Sequence, residues 1–129
     1  MRYLGVDWGE KRIGLALGDS ELKLATPFLV ASSIDEVIKI IKEEGIDALV
    51  IGNPKEMDGG ESRLQKEFED FLNNLKATGL ETILIDERLS SKQADSLLGG
   101  KKDKAPRDAV AAMLILQSYF DKTDRTNKS

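Results

Sequence analysis

The sequence predicts an α/β fold built on one mixed, five-stranded sheet, and two features of its apolar pattern predict it. The first thirty residues alternate large and small side chains with the period of two that is typical of β-strands. The remainder alternates helical patterns with short apolar runs, as parallel strands joined by crossover helices do. The predicted order is βββαβαβαα, with helices on both faces of the sheet, in one domain spanning residues 1–129.

Three strands open the chain. Tyr3–Asp7 is a short apolar run, and Arg12–Gly18 places large residues on one face and small residues on the other. The segment between them, Trp8–Lys11, is short enough to be a hairpin turn. Leu24–Val30 is the third strand, and we place it at an edge of the sheet because Pro27 lacks a backbone donor.

Helices and strands alternate from residue 33 onward. Ser33 and Glu36 form a capping box at the start of the first helix, and Gly45 ends that helix. Ala48–Gly52 follows as a buried strand. A second helix ends at Gly79. Its apolar stripe consists of Leu64, Phe68, Phe71, Leu72 and Leu75.

The last third of the chain contains one more strand and two more predicted helices. Thr82–Asp86 is the strand, and Ser90 with Gln93 caps a short helix that ends at Gly99 and Gly100. A basic loop precedes the final helix, which begins at Pro106 and is apolar on nearly every side. Such a helix is expected to be buried against the sheet. We expect residues 122–129 to form a disordered tail.

The composition excludes several classes of site. The 129 residues contain no histidine and no cysteine, so a zinc finger, a thiol nucleophile, a Ser-His-Asp triad and a disulfide are excluded. Any metal must be held by oxygen ligands, which indicates Mg²⁺ or Mn²⁺. Since the sequence shows neither a leader nor a long apolar run, we expect a cytoplasmic protein without a membrane partner. The net charge of −4 does not by itself indicate a nucleic-acid binder.

Three carboxylates are candidate metal ligands. Asp7 ends the first strand and Glu87 follows the last one, and the carboxyl ends of parallel strands share one rim of a sheet. Asp108 lies in the first turn of the final helix, on the face of Ala112 and Ile115, so we expect it to point at the sheet. Together they match the ligands that two hard cations need to act on a phosphodiester. Each acid alone has an ordinary alternative, as a turn cap, a surface ion pair or a helix-dipole partner.

Four segments resemble, in order and spacing, those of the YqgF (RuvX) family, and the resemblance covers nearly the whole chain. The segments are Asp7–Gly14, Gly52–Gly59, Asp86–Ser91 and Asp108–Ala112. The resemblance implies a three-layer RNase H-like fold, similar to the RuvC Holliday-junction resolvases, and a nuclease that matures the 5′ end of pre-16S ribosomal RNA. It also implies that the catalytic and metal-binding acids are Asp7, Glu87 and Asp108.

Other residues are predicted to contact the substrate. The similar RuvC-type enzymes have an acid at the end of the fourth strand, where this chain has Asn53, so Glu87 would take that place and either one or two metals fit. The predicted substrate-binding residues are Lys11, Arg12, Asn53, Gly59, Arg88, Lys101, Lys102, Lys104 and Arg107. Ordinary surface charge, a flexible helix entry and a solvated loop are the alternatives. Trp8 either stacks on a base or, as we favour, packs against the next strand.

The sequence therefore predicts a metal-dependent nuclease acting on structured nucleic acid, with a ribosomal small-subunit precursor favoured by the resemblance. One alternative is a resolvase cutting four-way DNA junctions, which would favour a dimer. Another is an RNA-binding ribosome-assembly factor without catalysis. A sugar-kinase or Hsp70-like ATPase closes two such domains around its nucleotide, and this chain has room for one. We expect a monomer or a weak homodimer.

Overall fold

The computed structural model describes residues 1–53, 62–86 and 107–128, which contain five strands and three helices. The strands are β1 (Arg2–Asp7), β2 (Ile13–Asp19), β3 (Leu24–Ala31), β4 (Ala48–Asn53) and β5 (Glu81–Asp86). The helices are α1 (Ile34–Glu44), α2 (Ser62–Lys76) and α3 (Arg107–Lys128). The short helix predicted from Ser90 and the basic loop before Pro106 lie outside the described residues.

The strands form a single mixed sheet in the order β3-β2-β1-β4-β5. The first three strands are antiparallel neighbours, whereas β4 is parallel to both β1 and β5. β3 is an edge strand, as Pro27 predicted, and the register shifts near Pro27, which lies opposite Ala16. The edge position suits Pro27 because it has no N–H to give to a further strand. The predicted mixed five-stranded sheet is thereby confirmed.

Alternation along the strands divides the apolar residues between the two faces of the sheet. Leu4 and Val6 of β1 join Ile13 and Leu15 of β2 in a buried cluster with the apolar stripes of α1 and α2. The opposite face carries a second cluster that α3 covers. That cluster contains Tyr3, Ala25, Ala48, Val50, Ile115, Leu116 and Phe120. The described residues thus form three layers, with α1 and α2 on one face of the sheet and α3 on the other, and the predicted three-layer fold with helices on both faces is confirmed.

The predicted cap of α1 is present with one change of partner. Ser33 Oγ accepts a hydrogen bond from the backbone N–H of Glu36, 3.3 Å away. The carboxylate of Glu36 reaches back one residue further, to the backbone N–H of Ser32 at 2.8 Å. At the other end, Gly45 adopts a left-handed φ of 63° and donates its N–H to Ile41. Both ends of α1 are therefore where the sequence predicted them.

α3 lies directly on the sheet because β1 and β2 present glycines to it. A Cβ at Gly5 would lie 2.8 Å from the carbonyl oxygen of Ala112. A Cβ at Gly18 would lie 2.8 Å from the ring of Phe120. Real Cβ atoms do not approach so closely, so the small-residue face of β2 is the docking surface of the helix.

Gln117 of α3 fastens the β2–β3 turn to the helix. Its side-chain Nε2 donates to the carbonyl oxygen of Lys23 at 2.9 Å, and its Oε1 accepts from the N–H of Ala25 at 3.0 Å. The amide thus satisfies one backbone acceptor and one backbone donor at the edge of the sheet.

The end of α3 differs from the sequence expectation. Residues 122–129 were expected to be a disordered tail, whereas the helical backbone continues to Lys128. No glycine or proline follows Phe120, and extending an existing helix is far easier than starting one, so nothing in the sequence stops it.

Among the three described helices, none combines the length and the apolar character that crossing a bilayer requires.

Candidate metal centre

Asp7 and Asp108 are brought to the same place by Gly14. Asp7 is the last residue of β1 and pairs with Gly14 across the antiparallel ladder. A Cβ on Gly14 would overlap the backbone carbonyl of Asp108, so the first turn of α3 lies directly over this glycine. Directly opposite residues in an antiparallel pair have Cα atoms about 5 Å apart. Both acids therefore flank one backbone position at the end of β1.

The side chain of Asp7 belongs to the face of the sheet that α3 covers. Tyr3 packs in the cluster under α3, and Gly5 contacts Ala112 of the same helix. Because side chains alternate along a strand, Asp7 shares their face. Asp7 and the first turn of α3 therefore lie on the same side of the sheet.

Asp108 is less enclosed than the helical spacing predicted. Its side chain is 37% exposed, and its Oδ2 lies 3.2 Å from Nε of Arg12. The acid thus lies at the rim of the sheet, with one side toward β2 and one toward solvent. The expectation that this side chain points away from solvent is corrected, because more than a third of it is exposed.

The turn between β1 and β2 is anchored to α2 by an aromatic contact. The ring of Trp8 lies 5.5 Å from that of Phe68 and 6.4 Å from that of Phe71, centroid to centroid. The favoured packing role of Trp8 is thus present, although its partner is α2 rather than the next strand. The packing of this half-buried side chain fixes the residue that directly follows Asp7.

A second anchor of the same turn is an ion pair that the sequence did not reveal. Nη1 of Arg63, in the first turn of α2, lies 2.7 Å from Oε2 of Glu10 and 3.1 Å from Oε2 of Glu67. The pair with Glu67 has the helical i,i+4 spacing that a sequence can show. The pair with Glu10 joins residues far apart in the chain, for which no local pattern exists.

The carboxylates at this end of the sheet are suitable ligands for a hard divalent cation. Asp7 and Asp108 supply carboxylate oxygens, the ligands that Mg²⁺ and Mn²⁺ prefer. Glu87, the third predicted ligand, lies outside the described residues. Within residues 1–53, 62–86 and 107–128, no group of three or more acids is close enough to hold an ion.

The predicted substrate-binding residues are placed only in part. Lys11 and Arg12 lie exposed in the turn after Asp7, and Arg107 lies exposed at the start of α3. Asn53 is the last residue of β4 and pairs with Asp86 of β5. The other predicted contacts lie outside the described residues; they are Gly59, Arg88, Lys101, Lys102 and Lys104.

The sheet order and the helix packed on the glycine face of the sheet are those of the RNase H-like class of α/β domains. The family model described as "RuvX: Holliday junction resolvase" matches residues 1–122. The chain belongs to this family, and the predicted resemblance is confirmed.

Several proteins of similar sequence carry the same name. A "Putative pre-16S rRNA nuclease" of Nitrosospira multiformis is 38% identical over 95% of this chain and 89% of its own length. The protein of that name from Shewanella oneidensis is 38% identical over 92% of each chain. The one from Chlamydia caviae is 37% identical over 92% of this chain and 82% of its own.

Two solved structures of similar fold are of junction resolvases. RuvC of Thermus thermophilus, in complex with a Holliday junction substrate, has a TM-score of 0.66 and 16% identity, covering 96% of both chains. The fowlpox virus resolvase bound to junction DNA has a TM-score of 0.59 and 14% identity, over 95% of this chain and 99% of its own. These likenesses confirm the predicted RNase H-like fold.

Proposed function

We propose that this protein is a metal-dependent nuclease that cleaves structured RNA, with pre-16S ribosomal RNA in the cytoplasm as its substrate. The observation that carries the proposal is the apposition of Asp7 and Asp108 around Gly14, at the carboxyl end of the central strand. Membership of a family whose similar members are named as nucleases supports it.

The proposed ligands of Mg²⁺ or Mn²⁺ are Asp7, Asp108 and, from outside the described residues, Glu87. When bound, a divalent cation supplies Lewis-acid activation of the phosphodiester. Residues of the chain position the proposed ligands. Trp8 fixes the turn that follows Asp7, and Gly14 allows the backbone of Asp108 to lie close to the end of β1. Positive charges must also offset the negative charge of the phosphates, and Lys11 and Arg12, which are exposed in the turn after Asp7, are proposed for that role.

A four-way DNA junction is the second candidate substrate, and the description of the matching family favours it. Resolution of a junction requires two cuts, so this candidate requires a dimer with two such sites. The RNA proposal requires only one copy of the chain. Substrate and oligomeric state are therefore linked, and measuring both separates the two candidates.

The test is cleavage of two defined substrates by highly purified protein in Mn²⁺. One is a pre-16S fragment carrying its 5′ extension, and the other is a synthetic four-way junction. Asp7→Asn, purified in parallel, is the matched control for contaminating nucleases. We expect the RNA to be cut faster by a monomer. Preferred cutting of the junction by a dimer would support the resolvase instead.

Failure to cut either substrate, combined with tight binding of the RNA fragment, would contradict catalysis. It would leave an RNA-binding assembly factor as the function of the chain. Calorimetry with Mn²⁺ supplies the independent readout, because that alternative needs no cation at the acids.

A further inference from the structure

Arg12 pairs with an acid of the proposed metal centre and is otherwise open to solvent. Its Nε is 3.2 Å from Oδ2 of Asp108, yet 75% of its side chain is exposed. It directly precedes β2, whose Gly14 lies against the backbone of Asp108, so the backbone positions of the two ion-pair partners are set by the fold. A guanidinium has five N–H donors, so the exposed part of the group is accessible to a second anion.

We propose that Arg12 exchanges between Asp108 and a substrate phosphate, and that this exchange couples nucleic-acid binding to cation binding. The inference rests on the proposed function, because it takes Asp108 as a cation ligand. A carboxylate paired with a guanidinium is a poorer ligand, since the cation must approach a like charge and break the pair. A phosphate that engages Arg12 removes that obstacle. By linkage, each ligand then raises the affinity of the protein for the other by the same factor.

Comparison with Arg63 shows why Arg12 is suited to exchange. Arg63 is held by two carboxylates at once, at 2.7 Å and 3.1 Å, and these contacts join α2 to the turn. Arg12 pairs with one carboxylate among the described residues, at 3.2 Å and with three quarters of its side chain in solvent. Ion pairs so exposed are weak, whereas a guanidinium and a phosphate form strong, paired hydrogen bonds. Phosphate therefore competes well for Arg12.

Cation binding provides the first test, by calorimetric titration of Mn²⁺ into the whole protein without nucleic acid. Arg12→Gln should bind Mn²⁺ about two- to fivefold more tightly than wild type, the range expected for loss of one exposed ion pair. Lys11→Gln is the matched control, because it removes the same charge from the adjacent exposed residue, for which the described residues show no ion pair. It should give a distinctly smaller gain. Equal gains would mean that only general charge matters and would overturn the exchange.

Nucleic-acid binding provides the second test, by fluorescence anisotropy of a short RNA duplex in excess EDTA. Asp108→Asn should strengthen RNA binding about two- to fivefold, because Arg12 is released to the phosphates. The same change made in an Arg12→Gln protein should give no gain. A gain of equal size in both backgrounds would overturn the inference, as would failure of the wild type to bind the duplex.

The two tests separate this inference from the proposed function. A wild-type protein that binds no Mn²⁺ at millimolar concentration contradicts both. If the wild type binds Mn²⁺ and Arg12→Gln has no larger effect than Lys11→Gln, the exchange alone is contradicted and the proposed metal centre stays in place.

Discussion

Gly14 lies directly beneath the backbone carbonyl of Asp108, and the two residues approach this closely only because Gly14 has no Cβ. The same glycine pairs with Asp7 across the ladder of β1 and β2. One position without a side chain thus sets how near the two proposed metal ligands lie. The apolar stretch of α3 that follows Asp108 holds the helix in this place through buried residues such as Ala112 and Leu116.

Replacing Gly14 with Ala should therefore damage the site as well as the fold. The added methyl group meets backbone rather than a mobile side chain, so the first turn of α3 must move. We expect a loss of about 1–3 kcal/mol in the free energy of unfolding, as for other overpacked cores. The rate of metal-dependent cleavage should fall at least tenfold in protein that is still folded.

Gly45→Ala is the matched control for this change. Gly45 has a φ of 63°, and nothing lies within 4 Å of the position that its Cβ would take. Alanine there costs about 1 kcal/mol through the left-handed backbone alone. Urea unfolding and cleavage rates on both variants make the comparison. If Gly14→Ala keeps full activity, or loses no more activity than Gly45→Ala, the packing of α3 on β2 does not position Asp108.

Ionisation of Tyr3 should lower the free energy of unfolding at alkaline pH. Burial, reinforced by a hydrogen bond with Tyr119, raises the pKa of Tyr3 from 10.0 to about 12. An unfolded tyrosine ionises near pH 10, so the stabilisation is complete below that pH and is lost as the pH rises toward about 12. The free energy of unfolding should fall across this window by up to about 1.4 kcal/mol per pH unit from this group.

The measurement is urea unfolding at pH 8, 10 and 11 for wild type and for Tyr3→Phe, which cannot ionise at this position. The variant should show a shallower decline above pH 10. Parallel declines in the two proteins would show that other groups govern alkaline unfolding.

The basic segment before α3 should contribute to RNA affinity more than to catalysis. Its lysines, Lys101, Lys102 and Lys104, are concentrated in a chain of net charge −4, so a local patch must supply the release of counterions from the phosphates. Changing all three to Ala should weaken binding and flatten its salt dependence by up to about 0.9 log unit per phosphate contact on duplex. Binding titrations at several salt concentrations decide this. Coinciding slopes would assign phosphate recognition to Lys11, Arg12 and Arg88.

Local patterns in the sequence were enough to predict the layers of the fold. Large and small residues alternate along β2 because its two faces have different neighbours. The large residues pack in the core with α1 and α2, and the small residues allow α3 to pack closely on the other face. The cap at Ser33 and the stop at Gly45 are likewise local, because each acts within one turn of helix. The end of α3 was missed because nothing in the sequence marks where it stops.

Contacts between distant parts of the chain were not predictable in the same way. The Glu10–Arg63 pair and the bonds from Gln117 to the β2–β3 turn depend on which surfaces the fold brings together. Side chains of these types are common on helix surfaces, so composition gives no signal. The pairing of Arg12 with Asp108 is of the same kind, although the sequence marks each residue separately as a candidate.

Cleavage by the acid-to-amide variants, with and without divalent cation, tests the metal centre most directly. Asp7→Asn, Glu87→Gln and Asp108→Asn should each lower the rate at least about a hundredfold, because ligands of one metal act as a unit. Glu43→Gln, an exposed acid on α1, is the control that should keep full activity. Mg²⁺ or Mn²⁺ should support cleavage by wild type and raise its thermal stability, and Ca²⁺ should support little cleavage. Undiminished cleavage in excess EDTA, or full activity of Asp7→Asn and Asp108→Asn, would contradict a metal nuclease centred on these acids.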